Sequence, residues 1–168
     1  MALNVSGLFK GGYHVEDPPL ARALFSSTAA AWLWLVVRLY VGYEWLEAGL
    51  HKFADPKWMV DGTALLGYWQ SAVKVPAPPA RAAITYDWFR SFLQFLIDGN
   101  TSVWFAKLVV YGEILIGIGL IVGAFVGVAA FFGALMNMNF MLAGSASTNP
   151  VLFFLAVGLM LAWKVAGY

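Results

Sequence analysis

The sequence lacks cysteine entirely and is poor in charge and in histidine. The absence of cysteine excludes disulfides, thiolate nucleophiles, iron–sulfur clusters and thiolate zinc sites together. The two histidines are His14, in a polar N-terminal segment, and His51, so a bis-histidine heme is poorly supported. No flavin or metal motif is present, and we expect no metal, heme or flavin cofactor.

Charged residues make up only 11% of the 168 residues, against about 25% in ordinary soluble domains. Ten basic residues nearly balance nine acidic ones, which argues against a nucleic-acid partner because such binding needs a basic face. What the chain has in excess is apolar residues, at 61%. Residues 1–20 contain no apolar segment of the signal-peptide kind. The composition therefore predicts an integral membrane protein in contact with the lipid bilayer.

The apolar segments predict an all-α membrane protein with four transmembrane helices in an antiparallel bundle. The first span covers about residues 29–50. The apolar run 103–144 is twice the length of a span, so it must fold back, and Gly123 is the expected turn. The fourth span begins at Pro150 as the first helical residue and runs to about Val165. Four spans place both termini on one side.

Between the first two spans lies a helical excursion, residues 51–102, which contains most of the charges and prolines. PKWMVDGTALLGYWQSAV and ITYDWFRSFLQFLID each have the spacing of an amphipathic helix. We treat residues 1–168 as a single membrane domain and residues 1–27 as an N-terminal tail.

Polar residues interrupt the end of the first span. Glu44, Glu47 and His51 fall within about 60° of one another on a helix, so they share one face. A charge in the bilayer costs about 2.5–3.5 kcal/mol on insertion scales, so such residues normally face the bundle interior and are paired. We therefore predict an inward-facing polar pocket, in which Arg38 pairs with Glu113.

The topology places further polar side chains in the same leaflet. Because successive spans run in opposite directions, the leaflet on the side of the excursion contains Lys52, Lys107, Glu113, Asn137 and Asn139. The second and fourth spans also begin there, and helix N-termini attract anions. We expect His51, Lys52 and Lys107 to form an anion-binding rim. Simpler interpretations stay open: the lysines reach headgroups, the carboxylates form a structural ion-pair set, and the asparagines join helices.

Two stretches resemble a known family. RLYVGYEWLEAGLHKF, residues 38–53, resembles the first-span pattern of the DoxX/DoxD family. MNMNFMLAGSASTNPVLF, residues 136–153, is similar to the asparagine-rich end of the third span in that family. The resemblance implies a four-helix membrane subunit. The best-described activity of the family is thiosulfate:quinone oxidoreduction, in which two thiosulfates form tetrathionate and a quinone co-substrate receives two electrons. A second subunit, DoxA, accompanies those enzymes and is a possible partner.

Each candidate residue then has an expected role. Quinone reduction consumes protons, and Glu47 is the leading proton donor among the candidate catalytic residues. The candidate catalytic residues are Glu44, Glu47, His51 and Glu113. The candidate residues for binding the small sulfur oxyanion are Arg38, Lys52, Lys107, Asn137 and Asn139. Trp58 and Trp104 are the candidate quinone contacts, although tryptophans at such positions more often form an interfacial belt.

Two other functions remain open from the sequence. The chain could be a non-catalytic anchor subunit of a larger redox complex, or a small four-helix transporter, against which the structured excursion argues. The count of lysines and arginines favours a cytoplasmic excursion, whereas the family pattern places both termini in the cytoplasm. We follow the family pattern and expect a prokaryotic plasma membrane.

Overall fold

The computed structural model describes residues 17–167, which fold into helices and connections without a β-strand. The helices are α1 (Pro19–Phe25), α2 (Ala31–Phe53), α3 (Pro56–Met59), α4 (Thr63–Ala72), α5 (Asp87–Asp98), α6 (Ser102–Val122), α7 (Val126–Leu142), α8 (Asn149–Leu161) and α9 (Trp163–Ala166), with a 3₁₀ turn at Thr28–Ala30 before α2. The predicted all-α class is confirmed. His14 and the first part of the predicted tail lie outside the described residues.

The helices α2 and α6 pack against each other more extensively than any other pair. A methyl group at Gly42 would lie 2.9 Å from the Ile121 side chain, and one at Gly117 would lie 2.6 Å from the backbone nitrogen of Leu46. Residue numbers rise along one helix as they fall along the other, so the pair is antiparallel. Small residues at these positions let the two backbones approach, as is common in membrane helix pairs.

The helices α7 and α8 form the second tight pair, while α6 and α7 are in looser contact. Gly112 faces Met136 and Gly119 faces Ala129 across the α6–α7 interface. At the far end, Trp163 of α9 packs on Gly127. The four long helices α2, α6, α7 and α8 therefore form an antiparallel bundle, since α2 also contacts α8.

The predicted turns are found where the sequence placed them. Gly123 ends α6 with φ 81°, a left-handed conformation that glycine adopts without strain. The helix α8 begins at Asn149, one residue before the predicted start at Pro150, with Thr148 as its N-cap residue and Pro150 in its first turn. The excursion differs in one respect: its first amphipathic segment is split into α3 and α4, because Gly62 takes φ 66° between them.

The Asp61 carboxylate accepts two hydrogen bonds at the start of α4. The Thr63 backbone N–H and hydroxyl both donate to Asp61 Oδ1, at 2.9 Å and 2.7 Å. These hydrogen bonds hold the pKa of the Asp61 carboxyl below its ordinary value, because they favour its charged form. The helices α4, α5 and the start of α6 share a small hydrophobic core built on Leu65, Trp69 and Phe89.

Among the described residues, one single helix is long and apolar enough to span a membrane. Ser102–Val122 has 21 residues and a mean hydropathy of 2.0. Pro19–Phe25 and Thr28–Phe53 qualify only when taken together, and they are bent by 59° relative to each other. The apolar helices α7 and α8 have 17 and 13 residues, fewer than a typical span of about 20. One helix thus indicates membrane association, and the four-span arrangement stays a prediction.

The close approach of α2 and α6 generates a stability prediction. Gly117→Ala places a methyl group against the Leu46 backbone, so we expect a loss of about 1–3 kcal/mol from overpacking. Gly67→Ala is the matched control, because a methyl group at Gly67 of α4 meets nothing within 4 Å. Alanine is the better helix former there and should stabilise by about 0.5–1 kcal/mol. Thermal unfolding in detergent measures both, and equal melting temperatures for the two variants would contradict the packing.

Candidate functional site

A buried ion pair joins the end of α2 to the middle of α6. Lys52 Nζ donates to both carboxylate oxygens of Glu113, at 2.6 Å each. The Glu113 side chain is 1% exposed, whereas that of Lys52 is 21% exposed. The Trp58 ring of α3 lies 5.3 Å from Lys52 Nζ, within the range of a cation–π contact. Three predicted site residues, Lys52, Glu113 and Trp58, are therefore brought together.

The predicted partner of Glu113 was wrong. Arg38 lies 14 residues before Lys52 on α2, which is about 21 Å along the helix axis. Its guanidinium group lies against Gly123, the residue that ends α6, ten residues after Glu113. Within residues 17–167, no carboxylate lies within ion-pair distance of Arg38. The structure thus separates Arg38 from the other predicted oxyanion-binding residues.

The predicted inward-facing pocket was also wrong for three residues of α2. The packed stripe of α2 contains Arg38, Gly42, Trp45, Gly49 and Lys52, spaced alternately by four and three residues. Glu47 and His51 are exposed and Glu44 is half-buried. Their shared face is confirmed, but it points away from the bundle, because the small residues of the other stripe pack against α6.

Two further polar side chains lie inside the bundle without hydrogen-bond partners among the described residues. Both amide atoms of Asn137 are unpaired, and so is Trp45 Nε1, although both residues are buried. The indole nitrogen would lie 3.1 Å from a methyl group at Gly133, one helical turn before Asn137 on α7. Trp45 was missed as a site residue by sequence reasoning. Its signal was the spacing of Gly42, Trp45 and Gly49 on one stripe.

The other candidates occupy the periphery. Asn139 Nδ2 donates to the Leu135 carbonyl oxygen at 2.8 Å, and Lys107 is half-buried on α6. Trp104 is exposed, with its ring 5.2 Å from that of Phe105. Because Lys52 is neutralised by Glu113 and His51 faces outward, the predicted anion-binding rim of His51, Lys52 and Lys107 is not assembled in this structure.

A large apolar groove lies between α6 and α7, which we call the α6–α7 groove. Its volume is about 710 Å³, and α4 and α5 cover one end of it. Its walls include Leu108, Leu115, Val128 and Phe132 from the two long helices. The groove exists because α6 and α7 are in looser contact than the two tight pairs, so their facing side chains do not interlock.

The covered end of the groove holds its polar groups. Tyr68 of α4 and Asn139 of α7 both line it there. The Tyr68 hydroxyl lies 3.4 Å from the Phe140 carbonyl oxygen. Burial raises the pKa of the Tyr68 hydroxyl, and a hydrogen bond with the Ser145 side chain partly offsets this increase. Tyr68 therefore stays protonated and can donate a hydrogen bond. Sequence reasoning missed it because its helix lies outside the apolar spans.

Two residues that line the groove are sequence neighbours of the buried polar residues. Gly112 and Met136 both line the groove, and they precede Glu113 and Asn137 directly in sequence. A methyl group at Gly112 would lie 3.4 Å from Met136 Sδ, so these two residues meet at the wall. A molecule in the groove would contact Gly112 and Met136, whereas the Glu113 and Asn137 side chains do not line the groove.

Within residues 17–167, no three histidine, aspartate or glutamate side chains come together as metal ligands. No family model, no curated protein and no solved structure matches the chain. The resemblance to the DoxX/DoxD family therefore stays a prediction, and the geometry of the site is the basis of the functional argument.

The ion pair generates a double-mutant prediction. Lys52→Met leaves the Glu113 carboxylate buried without its cation, so we expect a loss of about 3 kcal/mol, the low end for a buried pair because Lys52 is 21% exposed. Adding Glu113→Gln removes the stranded charge and should recover most of that loss. The measurement is thermal or denaturant unfolding of the single and double variants in detergent.

The control cycle combines Arg38→Gln with Glu113→Gln. Because these residues lie at different ends of the bundle, their effects should add within about 0.5 kcal/mol. Coupling in the Arg38 cycle, with additivity in the Lys52 cycle, would restore the pairing expected from sequence and reject the pairing found in the structure.

Proposed function

We propose that the protein is a membrane oxidoreductase subunit that binds a quinone in the α6–α7 groove and supplies protons through the Lys52–Glu113 pair. The observation that supports this proposal best is that the same helix, α6, lines a long apolar groove through Gly112 and carries the next residue, Glu113, in a buried ionisable pair. The thiosulfate donor comes from the family resemblance. Four spans, cytoplasmic termini and a prokaryotic plasma membrane belong to the same proposal.

The groove suits an amphiphile with a long apolar chain. Its volume of about 710 Å³ falls within the range of about 300–1,000 Å³ that is usual for small-molecule sites. An isoprenoid chain would occupy the apolar length between Leu108 and Val128. A quinone carbonyl at the covered end could accept the hydrogen bond that the Tyr68 hydroxyl otherwise donates to the Phe140 carbonyl oxygen at 3.4 Å. This placement differs from the sequence prediction, in which Trp58 and Trp104 contacted the quinone.

Proton delivery follows from the unequal exposure of the ion pair. Lys52 is partly exposed at the end of α2, whereas Glu113 is buried in the bundle. A proton taken up at Lys52 can pass along the hydrogen bonds to Glu113, which is the proposed donor to a quinone oxygen bound beside Gly112 and Met136. Glu113 is a better proton donor than Glu47 in this arrangement, because Glu47 lies on the outward face of α2.

The overall reaction balances without a bound metal or flavin. Two thiosulfate dianions each lose one electron and join through a new S–S bond to form tetrathionate. The quinone takes up the two electrons and two protons to become quinol. One route consistent with this balance begins with addition of a thiosulfate sulfur to the quinone ring. Attack of a second thiosulfate on that sulfur then forms the S–S bond of tetrathionate and breaks the C–S bond, and the ring keeps both electrons of that bond and takes up two protons to become quinol.

A second candidate function is a membrane anchor of a larger redox complex. Glu44, Glu47 and His51 favour it, because carboxylates on an outward face of a span are costly in lipid and would be covered by a partner subunit. The DoxA-like subunit expected from the resemblance would be such a partner.

The groove generates a binding prediction with a matched control. Val128→Trp places an indole ring in the groove, so the amount of quinone that co-purifies with the protein should fall by about tenfold or more. Val151→Trp adds the same bulk on α8, outside the groove, at a valine that is equally exposed (56% for both). Extraction and chromatography of bound quinone measure the difference. Equal loss in both variants, or none in either, would remove the groove as the quinone site.

Replacing one carboxylate at a time distinguishes the two proton donors. Glu113→Gln keeps the shape of the side chain and removes its proton, so thiosulfate-dependent quinone reduction in reconstituted membranes should fall by about 100-fold or more, the usual effect of losing a general acid. Glu47→Gln should leave the rate within about twofold. Co-purified quinone should be unchanged in both, because neither side chain lines the groove.

The reverse result, loss of activity in Glu47→Gln with a normal rate in Glu113→Gln, would restore the donor expected from sequence. A wild-type protein that binds quinone but reduces none, even with its partner subunit present, would reject the enzyme and leave the anchor function.

A further inference from the structure

A buried cation lies at the end of the bundle opposite to the Lys52–Glu113 pair. Arg38 is 7% exposed, and its Nε has no hydrogen-bond partner in the described part of the chain. Its Nη1 lies 1.7 Å from the position that a methyl group at Gly123 would take. Only the absence of a side chain at Gly123 lets the guanidinium group approach the backbone of the α6–α7 turn.

The nearest buried carboxylate cannot neutralise this cation. Glu113 lies ten residues before Gly123 on α6, about 15 Å along the helix axis. Both of its oxygens are already bound to Lys52. A buried guanidinium group without an opposite charge is costly, so the position of Arg38 indicates an anionic ligand that is not part of residues 17–167.

The start of α7 adds hydrogen-bond donors, whereas the Gly123 and Ala124 N–H groups of the turn already donate to the Gly119 carbonyl oxygen. Gly123 and Phe125 both adopt left-handed conformations, with φ 81° and 53°. The helix α7 begins directly afterwards at Val126, has 17 residues, and receives no side-chain cap from Phe125. The first N–H groups of a helix without such a cap carry partial positive charge and favour an anion.

The turn is recessed relative to its neighbours. Arg38 lies level with it, and α2 starts seven residues earlier, at Ala31, so that helix extends about 10 Å beyond the turn. Trp163 of α9 packs on Gly127 from another side. The outer rim of the turn is apolar, because Val122 and Phe125 are 71% and 83% exposed.

We propose that this recess binds the phosphate group of an anionic phospholipid. The guanidinium fork of Arg38 contacts two phosphate oxygens, as this group does at phosphate sites in general, and the first N–H groups of α7 contact the anion from the other side. The exposed Val122 and Phe125 side chains contact the acyl chains, which favours a lipid headgroup over free phosphate. The proposal does not rest on the proposed function, although Phe125 also lines the open end of the α6–α7 groove.

The test counts lipids bound to the full-length protein. The protein is purified in mild detergent, incubated with phosphatidylglycerol or phosphatidylcholine, and examined by native mass spectrometry. Wild type should retain phosphatidylglycerol in preference to phosphatidylcholine. Arg38→Gln should lower that retention by about tenfold, the usual effect of losing a charge-assisted hydrogen bond. Lys164→Gln, which removes an exposed cation at the same end, should retain the lipid within about twofold.

Two further measurements make the result decisive. Arg38→Lys keeps the charge without the guanidinium fork, so its retention of phosphatidylglycerol should lie between that of wild type and that of Arg38→Gln. If Arg38→Gln does not fold, Arg38→Lys tests the site in its place. Addition of inorganic phosphate tests the source of the anion. Retention that survives phosphate supports a lipid headgroup, whereas displacement by phosphate identifies a free-anion site and overturns the lipid assignment. Equal retention by wild type, Arg38→Gln and Arg38→Lys would overturn the site itself.

Discussion

The close packing of α2 on α6 is the constraint on which the other polar features depend. Gly42 and Gly49 on α2 and Gly117 on α6 allow backbone contact, and this contact fixes both the rotation and the register of the two helices. In that register Lys52 reaches Glu113 at one end and Arg38 reaches Gly123 at the other. The same rotation turns Glu47 and His51 outward. A change in the packed stripe would alter all of these positions together.

Uneven packing among the four long helices explains where an apolar ligand can enter. The α2–α6 and α7–α8 pairs are tight, and α6 and α7 meet only at a few small or flexible residues such as Gly112 and Met136. The space that this leaves is covered at one end by α4 and α5, whose own small core holds them in place. The excursion thus closes the polar end of the groove and leaves its apolar length open along the helices.

The elements and turns were predictable from the sequence because their signals are local. Gly123, Thr148 and Pro150 mark helix ends by their own backbone preferences, and each marks one here. The split between α3 and α4 was missed although Gly62 stands at the break, because an isolated glycine also occurs inside helices. The shared face of Glu44, Glu47 and His51 was likewise predictable, since it needs only the helical period.

The direction in which that face points required information about packing. The cost of a charge in lipid favoured an inward face for Glu47, and it favoured an inward face for Arg38 and Lys52 equally. These residues lie on opposite sides of α2, so burial cost alone could not choose between them. The glycines determine which face of α2 is buried, because only the stripe of Gly42 and Gly49 can approach another helix closely enough to pack. A small-residue stripe is therefore better evidence for the buried face of such a helix than the positions of its charges. The same rule explains the pairing of Glu113: among the cations of α2, Lys52 alone is both on the packed stripe and at the depth of Glu113.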